Sequence, residues 1–277
     1  MGAAAVALDA SRQVVSESHS WKSAANQYVL HRVMALMGAF CRLLLKSATK
    51  NAPEEQRKFV RELLAANANT VYGQEHRFAE LKDLDGFREQ HPLTRSAHYQ
   101  SFIERIANGE QNVLTKDPVT RLGMTSGTSG NVNVLPVVAA QRNIFFFQGI
   151  TTVFDVIARQ FPGFNSSMQR TLKIFFTPIP RSAPCGLPMG PNSSAPGDSK
   201  GLLQLYTTPP AAYDIMSEPE ALYVYVLFAL KDRNLGCIES NFISAVYNMY
   251  KVLSLAPSLL YSFTPSLVNP STCVVTR

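Results

Sequence analysis

The sequence predicts an α/β fold, and three observations carry the prediction. Apolar, strand-like runs occur at Val119–Met124, Thr171–Ile179 and Leu235–Ile238. Stretches of helical apolar spacing alternate with them, as expected of α/β architecture. The chain has 277 residues, 46% of them hydrophobic, enough to bury a sizeable core.

The elements follow in order. Residues 1–25 are polar and rich in Ser and Ala, and read as a loose leader. A helix is expected over about 26–46, with Val29, Val33, Leu36, Phe40, Leu43 and Leu44 on one face. That face is expected to meet the core. Arg32, Arg42 and Lys46 on the polar side keep a membrane-surface role for this helix in view. A second helix starts near Pro53, where proline suits the first turn, and aligns Phe59, Val60, Leu63 and Leu64. Residues 67–120 read as short helices and turns, with Phe87, Tyr99, Phe102 and Ile106 as their apolar contacts. A long helix rich in Phe and Ile is expected over about 140–160. Thr171–Ile179 reads as a buried strand ended by Pro178 and Pro180. Residues 181–200 form a Pro, Gly and Ser-rich loop. Ser217 and Glu220 form a capping box for a helix over 218–231. A short strand at 235–238 and a helix over 241–253 complete the pattern.

Composition excludes several classes. Charged residues make up 17% and the formal net charge is +6. That mild excess suits a small anionic substrate and supplies no Lys/Arg stripe for nucleic acid. Cys41, Cys185, Cys237 and Cys273 lie far apart without a C-x-x-C, so neither a zinc site nor a disulfide framework is indicated. The histidines (His19, His31, His76, His91, His98) show no H-x-x-x-H spacing, and no metal ligands are expected. His76 and His91 lie in turn-rich sequence and read as surface or supporting residues. The run Val33–Leu45, interrupted by Arg42, is too short to cross a bilayer, and no transmembrane span is expected. Asp9 and Arg12 break the early apolar stretch, which excludes a compact signal peptide. A cytoplasmic protein is the expectation.

The stretch Gly123-Met-Thr-Ser-Gly-Thr-Ser-Gly-Asn131 carries the chemistry. Hydroxyl side chains donate to oxyanions, and glycines let backbone amides approach without a Cβ in the way. The loop follows a strand-like lead-in and is expected to precede a helix. It is not a Walker A motif, because no G-x-x-x-x-G-K-[ST] is present. Gly123-x-Thr125-x-Gly127 also mimics a nucleophile elbow, but that elbow needs Ser or Cys at its centre. Residues 125–130 do match the Ser/Thr/Gly pattern by which adenylate-forming enzymes hold ATP phosphates.

The surrounding sequence makes the resemblance specific. Leu64-Ala-Ala-Asn-Ala-Asn-Thr70-Val-Tyr72-Gly73-Gln-Glu-His76-Arg-Phe78 resembles the signature of the Gretchen Hagen family of auxin-responsive acyl acid amido synthetases. The likeness continues through His91-Pro-Leu-Thr94, Tyr99, Ile103–Glu110 and Asn112–Thr115 to the loop. It resumes at Tyr206-Thr207-Thr208-Pro209-Pro210, Ala221-Leu222-Tyr223 and Gly236–Phe242, closer in flavour to the animal members. The resemblance implies the incomplete large N-terminal domain of an adenylate-forming fold, here over residues 26–253. It implies an ATP- and Mg-dependent acid–amino acid ligase whose partners are a small carboxylic acid and an amino acid. Ser126, Thr128 and Ser129 would contact phosphate through hydroxyls, Gly127 and Gly130 through amides. No catalytic residue is assigned.

Two departures qualify what is implied. Many members carry a Lys two or three residues after the last loop glycine, where this chain has Asn131, Val132 and Asn133. The family's later nucleotide motifs, and the small-domain Lys, are not found. Residues 254–277 instead read as a non-family tail whose only charge is Arg277, so a C-terminally truncated member is expected. Two readings stay open: an acid–amino acid ligase fragment inactive by itself, and a non-catalytic remnant that binds or interacts.

Overall fold

The computed structural model describes residues 3–125, 133–161, 168–191 and 202–255. In chain order, helices α1 (Ala3–Ser11), α2 (Trp21–Lys50), α3 (Ala52–Asn67), α4 (Val71–Glu75), α5 (Leu84–Gln90) and α6 (Gln100–Ala107) precede the first sheet. Strands β1 (Val119–Thr125) and β2 (Asn133–Val138) come next, then α7 (Ala139–Ile144), a π turn (Phe145–Ile150) and α8 (Thr151–Gln160). The chain continues through β3 (Thr171–Ile174), β4 (Arg181–Ser182), β5 (Pro188–Pro191), α9 (Glu218–Leu230), β6 (Cys237–Ser240) and α10 (Ile243–Leu255). It divides into two units: Met1–Ala35, Val156–Pro178 and Ser193–Arg277; and Leu36–Asp155 with Ile179–Asn192.

In the first unit, β3 and β6 pair in parallel, from Thr171 opposite Cys237 to Ile174 opposite Ser240. Gly236 leads into β6 because a Cβ there would lie 2.6 Å from the Cβ of Gln169. The strand expected over 171–179 stops at Ile174, since its four-residue partner offers no ladder further on. Helix α9 packs on β3, and α10 packs on α9. Leu172, Ile174, Phe175, Tyr213, Tyr225 and Val226 form the centre of this core. The expected capping box is not made, because Ser217 forms no side-chain bond to the helix. Pro219 in the first turn, with Glu218 and Glu220 beside the positive end of the helix dipole, starts α9 instead.

The segment between α1 and α2 is hydrogen-bonded within this unit. Met168 N donates to Val14 O at 3.0 Å and Arg170 N to Ser16 Oγ at 2.8 Å. Ser18 Oγ donates to Asp232 Oδ2 at 2.7 Å. Burial pushes the Asp232 carboxyl up, but bonds from Ser16, Ser18 and the Asn234 amide outweigh it and hold the carboxyl below the usual range.

The second unit holds a four-stranded sheet in the order β2-β1-β5-β4. Strand β1 pairs antiparallel with β2 and parallel with β5, and β5 pairs antiparallel with β4. A bulge between Val119 and Arg121 places an extra residue on β1, and its Thr120 Oγ1 donates to Val137 O at 3.0 Å. Leu122, fully buried, joins Tyr72, Phe102, Ile106 and Val113 in this unit's core. The helix expected over 140–160 is α7, the π turn and α8 in direct succession.

Helix α2 is longer than expected. Among the described residues it is the one helix long and apolar enough to cross a membrane by length and composition. Its apolar stripe was expected to face the core, yet Leu36, Phe40, Leu43 and Leu44 are exposed. Other residues of α2 make its protein contacts. A Cβ on Gly38 would collide with the Thr151 carbonyl, Cys41 Sγ donates to Phe147 O at 3.1 Å, and Arg42 Nε donates to Asp155 Oδ2 at 2.9 Å. Periodicity sets the helix; its neighbours decide which face they cover.

Candidate functional site

The expected phosphate loop begins where β1 ends. Its residues Ser126, Gly127, Thr128, Ser129 and Gly130 lie outside the described residues. The strands that carry its two ends are described. Thr125 pairs with Asn133, so the 126–132 connection leaves and re-enters one antiparallel ladder. On the other side of β1, Gly123 and Met124 pair with Gly190 and Pro191 of β5. Leu122 opposite Pro136 roots β1 in the core three residues before the strand ends. The loop was expected to precede a helix over about 140–160, with no strand named between them. A six-residue strand, β2, intervenes, and α7 starts only at Ala139. Pro136 lacks a ladder donor and is tolerated in β2 because β2 is an edge strand of the sheet.

The same unit holds a cluster that sequence reading missed. Tyr72 is at the start of α4, whose N-cap Thr70 accepts a hydrogen bond from Gly73 N at 2.9 Å. Gly73 is required there, because a Cβ would collide with the Asn67 carbonyl. The Tyr72 hydroxyl lies 2.7 Å from His91 Nε2 and 3.0 Å from His98 Nε2. A phenol has one proton, so it donates to one imidazole and accepts from the N–H of the other. The His76 ring centroid lies 4.2 Å from that of Tyr72 and 4.9 Å from that of His91, and Phe87 stacks on His91 at 4.7 Å. Burial, then the charges of His76 and His98, push the His91 pKa down, while a bond with the Pro92 backbone pulls it up. Burial also raises the Tyr72 hydroxyl, with Tyr99 and Glu75 adding to the effect. His76 and His91 therefore belong to a shared polar–aromatic cluster rather than to isolated turns. They lie on separate short segments, so no local pattern announces it. Among the described residues, no group of three His, Cys, Asp or Glu has the geometry to hold a metal ion.

In the other unit, the segment Tyr206–Pro210 bonds to the start of β3, with Thr207 N donating to Thr171 O at 3.1 Å. Thr207 Oγ1 is buried without a hydrogen-bond partner. Burial pushes the Tyr213 hydroxyl up. In β3, the nearly buried Lys173 ammonium is paired with Glu239 on β6, its register partner.

Comparison with known proteins adds the family. The profile described as "GH3 family N-terminal domain" matches residues 43–260. The chain belongs to the GH3 family. Among named GH3 relatives, "Probable indole-3-acetic acid-amido synthetase GH3.12" of Oryza sativa subsp. japonica is 38% identical over 82 residues, 29% of this chain and 13% of that protein. "Indole-3-acetic acid-amido synthetase GH3.6" of Arabidopsis thaliana is 27% identical over 151 residues, 53% of this chain and 24% of that protein. The fold agrees with a solved GH3 structure, "AtGH3.15 acyl acid amido synthetase in complex with 2,4-DB", at a TM-score of 0.68 and 22% identity. That alignment covers 81% of this chain and 40% of the GH3.15 chain. This GH3 chain thus spans well under half the length of the relatives it matches, and its mixed helix-and-sheet fold is that of part of an acyl acid amido synthetase.

Proposed function

We propose that this chain carries the phosphate-binding segment of an ATP-dependent acid–amino acid ligase. The observation that supports this reading is the GH3 match over residues 43–260, which encloses the 126–130 loop and both strands that root it. In the proposed first half-reaction, a carboxylate oxygen of a small acid attacks the α-phosphorus of ATP. The bond to the bridging oxygen breaks, pyrophosphate leaves and an acyl-AMP forms. In the second, an amino acid amine attacks the acyl carbonyl, AMP leaves with its electron pair, and an amide forms. Hydroxyls of Ser126, Thr128 and Ser129 and amides of Gly127 and Gly130 would stabilise the charge that develops on the phosphate oxygens. Magnesium would neutralise further phosphate charge, and we assign it no ligands within this chain.

Residues 1–277 alone are proposed not to complete adenylation, because the later nucleotide motifs of the family are missing from them. A second reading, a non-catalytic protein of the same fold, is favoured by Asn131-Val132-Asn133 standing where many relatives place a lysine. One pair of measurements separates these readings. Titration calorimetry with Mg-ATP is expected to detect binding that Ser126→Ala weakens, and acid-dependent pyrophosphate exchange is expected to stay at background. ATP binding unchanged by Ser126→Ala overturns the phosphate assignment. Robust exchange overturns the proposed incompleteness, and no ATP binding at all selects the second reading.

A further inference from the structure

Helix α2 has two different sides. One is engaged by protein through Gly38, Cys41 and Arg42, which meet Thr151, Phe147 and Asp155. The other bears Val29, Val33, Leu36, Phe40, Leu43 and Leu44, spaced by three or four residues along one stripe, and every one of them is exposed. Leu36 and Phe40 are exposed by 73% and 62%. From Trp21 to Lys50 the helix has no Asp or Glu, while Lys22, Arg32, Arg42, Lys46 and Lys50 are all cationic. Arg32 is paired with Asp9 and Arg42 with Asp155, whereas Lys46 and Lys50 stand exposed at the C-terminal end.

We propose that α2 lies in the plane of an anionic lipid membrane, with this stripe in the acyl boundary and Lys46 and Lys50 at the headgroups. The choice of occupant follows from charge. A helix with an apolar stripe, basic flanks and no acidic residue complements a negatively charged bilayer surface. The choice of a lying over a spanning helix follows from packing. A span exposes its circumference to lipid or to other spans, but Gly38 is pressed against the Thr151 carbonyl and Arg42 is held by Asp155. Trp21, exposed by 77% at the start of the helix, has the amphipathic ring that favours the headgroup level. The inference is independent of nucleotide binding.

Trp21 is the sole tryptophan of the sequence and supplies the probe. The full chain is mixed, without ATP, with vesicles of phosphatidylcholine alone or containing about one third phosphatidylserine. Cosedimentation and a blue shift of Trp21 fluorescence are expected with the anionic vesicles, weakening as salt rises. Phe40→Ser is expected to weaken partitioning about tenfold or more, as loss of one large apolar side chain from an interface predicts. Lys46→Glu with Lys50→Glu is expected to remove the preference for anionic over neutral vesicles. These positions are exposed, so circular dichroism is expected to match the parent chain. The proposal is overturned if the parent chain ignores anionic vesicles, or if Phe40→Ser leaves partitioning unchanged. It is equally overturned if Phe40→Ser alters oligomeric state by light scattering without altering partitioning, which assigns the stripe to a second copy.

Discussion

The hydroxyl of Tyr72 lies 2.7 Å from Nε2 of His91, at the centre of a cluster completed by His76, His98 and Phe87. His91 faces the Tyr72 hydroxyl, the rings of His76 and Phe87, and the charge of His98, with Tyr99 and Glu75 acting on Tyr72 from behind. Its pKa is lowered from the usual 6.5, chiefly by burial. The unfolded chain therefore binds more protons than the folded one between the depressed value and 6.5, and stability rises with pH through that window. The contribution is fully present above pH 6.5 and is lost as pH falls through the folded-state value. His19, lowered by burial and by Arg170, acts in the same direction. Thermal melts from pH 5 to 7.5 are expected to show rising midpoints, with a shallower slope in His91→Gln. An unchanged slope in that variant means that His91 does not titrate differently on folding.

Gly73 is fixed by contact rather than by dihedral angle. A methyl group there meets the Asn67 carbonyl, which belongs to the α3–α4 junction and cannot give way without moving the cap formed by Thr70. Gly73→Ala is expected to cost about 2 kcal/mol in urea denaturation, within the range for overpacking a rigid site. A cost under half of that means that the junction is more pliable than the close approach implies.

Lys173 and Glu239 are cross-strand partners in the parallel β3–β6 pair, the lysine nearly buried and the carboxylate half exposed. Water screening of Glu239 limits the worth of the pair, so Glu239→Gln is expected to destabilise by about 1 kcal/mol. Replacing Lys173 with Met at the same time removes the buried charge and is expected to recover most of that loss. Failure of the double variant to recover shows that the lysine stem, not its charge, sets the cost.

Leu122 is fully buried in β1, opposite Pro136 and beside Met189. Leu122→Ala is expected to lose about 3 kcal/mol of stability, as a buried leucine truncation does. If β1 roots the 126–130 loop, ATP binding by calorimetry weakens in the same variant under conditions where it remains folded. Retention of full affinity means that the loop holds its form without the strand.

Several elements were legible because their signals are local. The helix expected over 218–231 is α9, though its expected capping box is not made, and the apolar run from Val119 marks β1. Other features depend on what chain segments far apart do to one another. Strand β2 went unread, and its Pro136 is accommodated because β2 lies at an edge of the sheet. The histidines were unreadable because Tyr72 and His76 lie on one short segment while His91 and His98 lie on others, and only the packing of these segments brings their rings together.

By itself, the sequence determined that α2 is a helix and that the chain resembles one family. Local spacing and residue chemistry suffice for each of these. The tertiary structure alone decided that the apolar stripe of α2 points outward, that Gly73 meets a carbonyl, and that Tyr72 gathers imidazoles. A hydrophobic period states that one face differs from the other, but only the neighbours that fill space around a helix decide which face is covered.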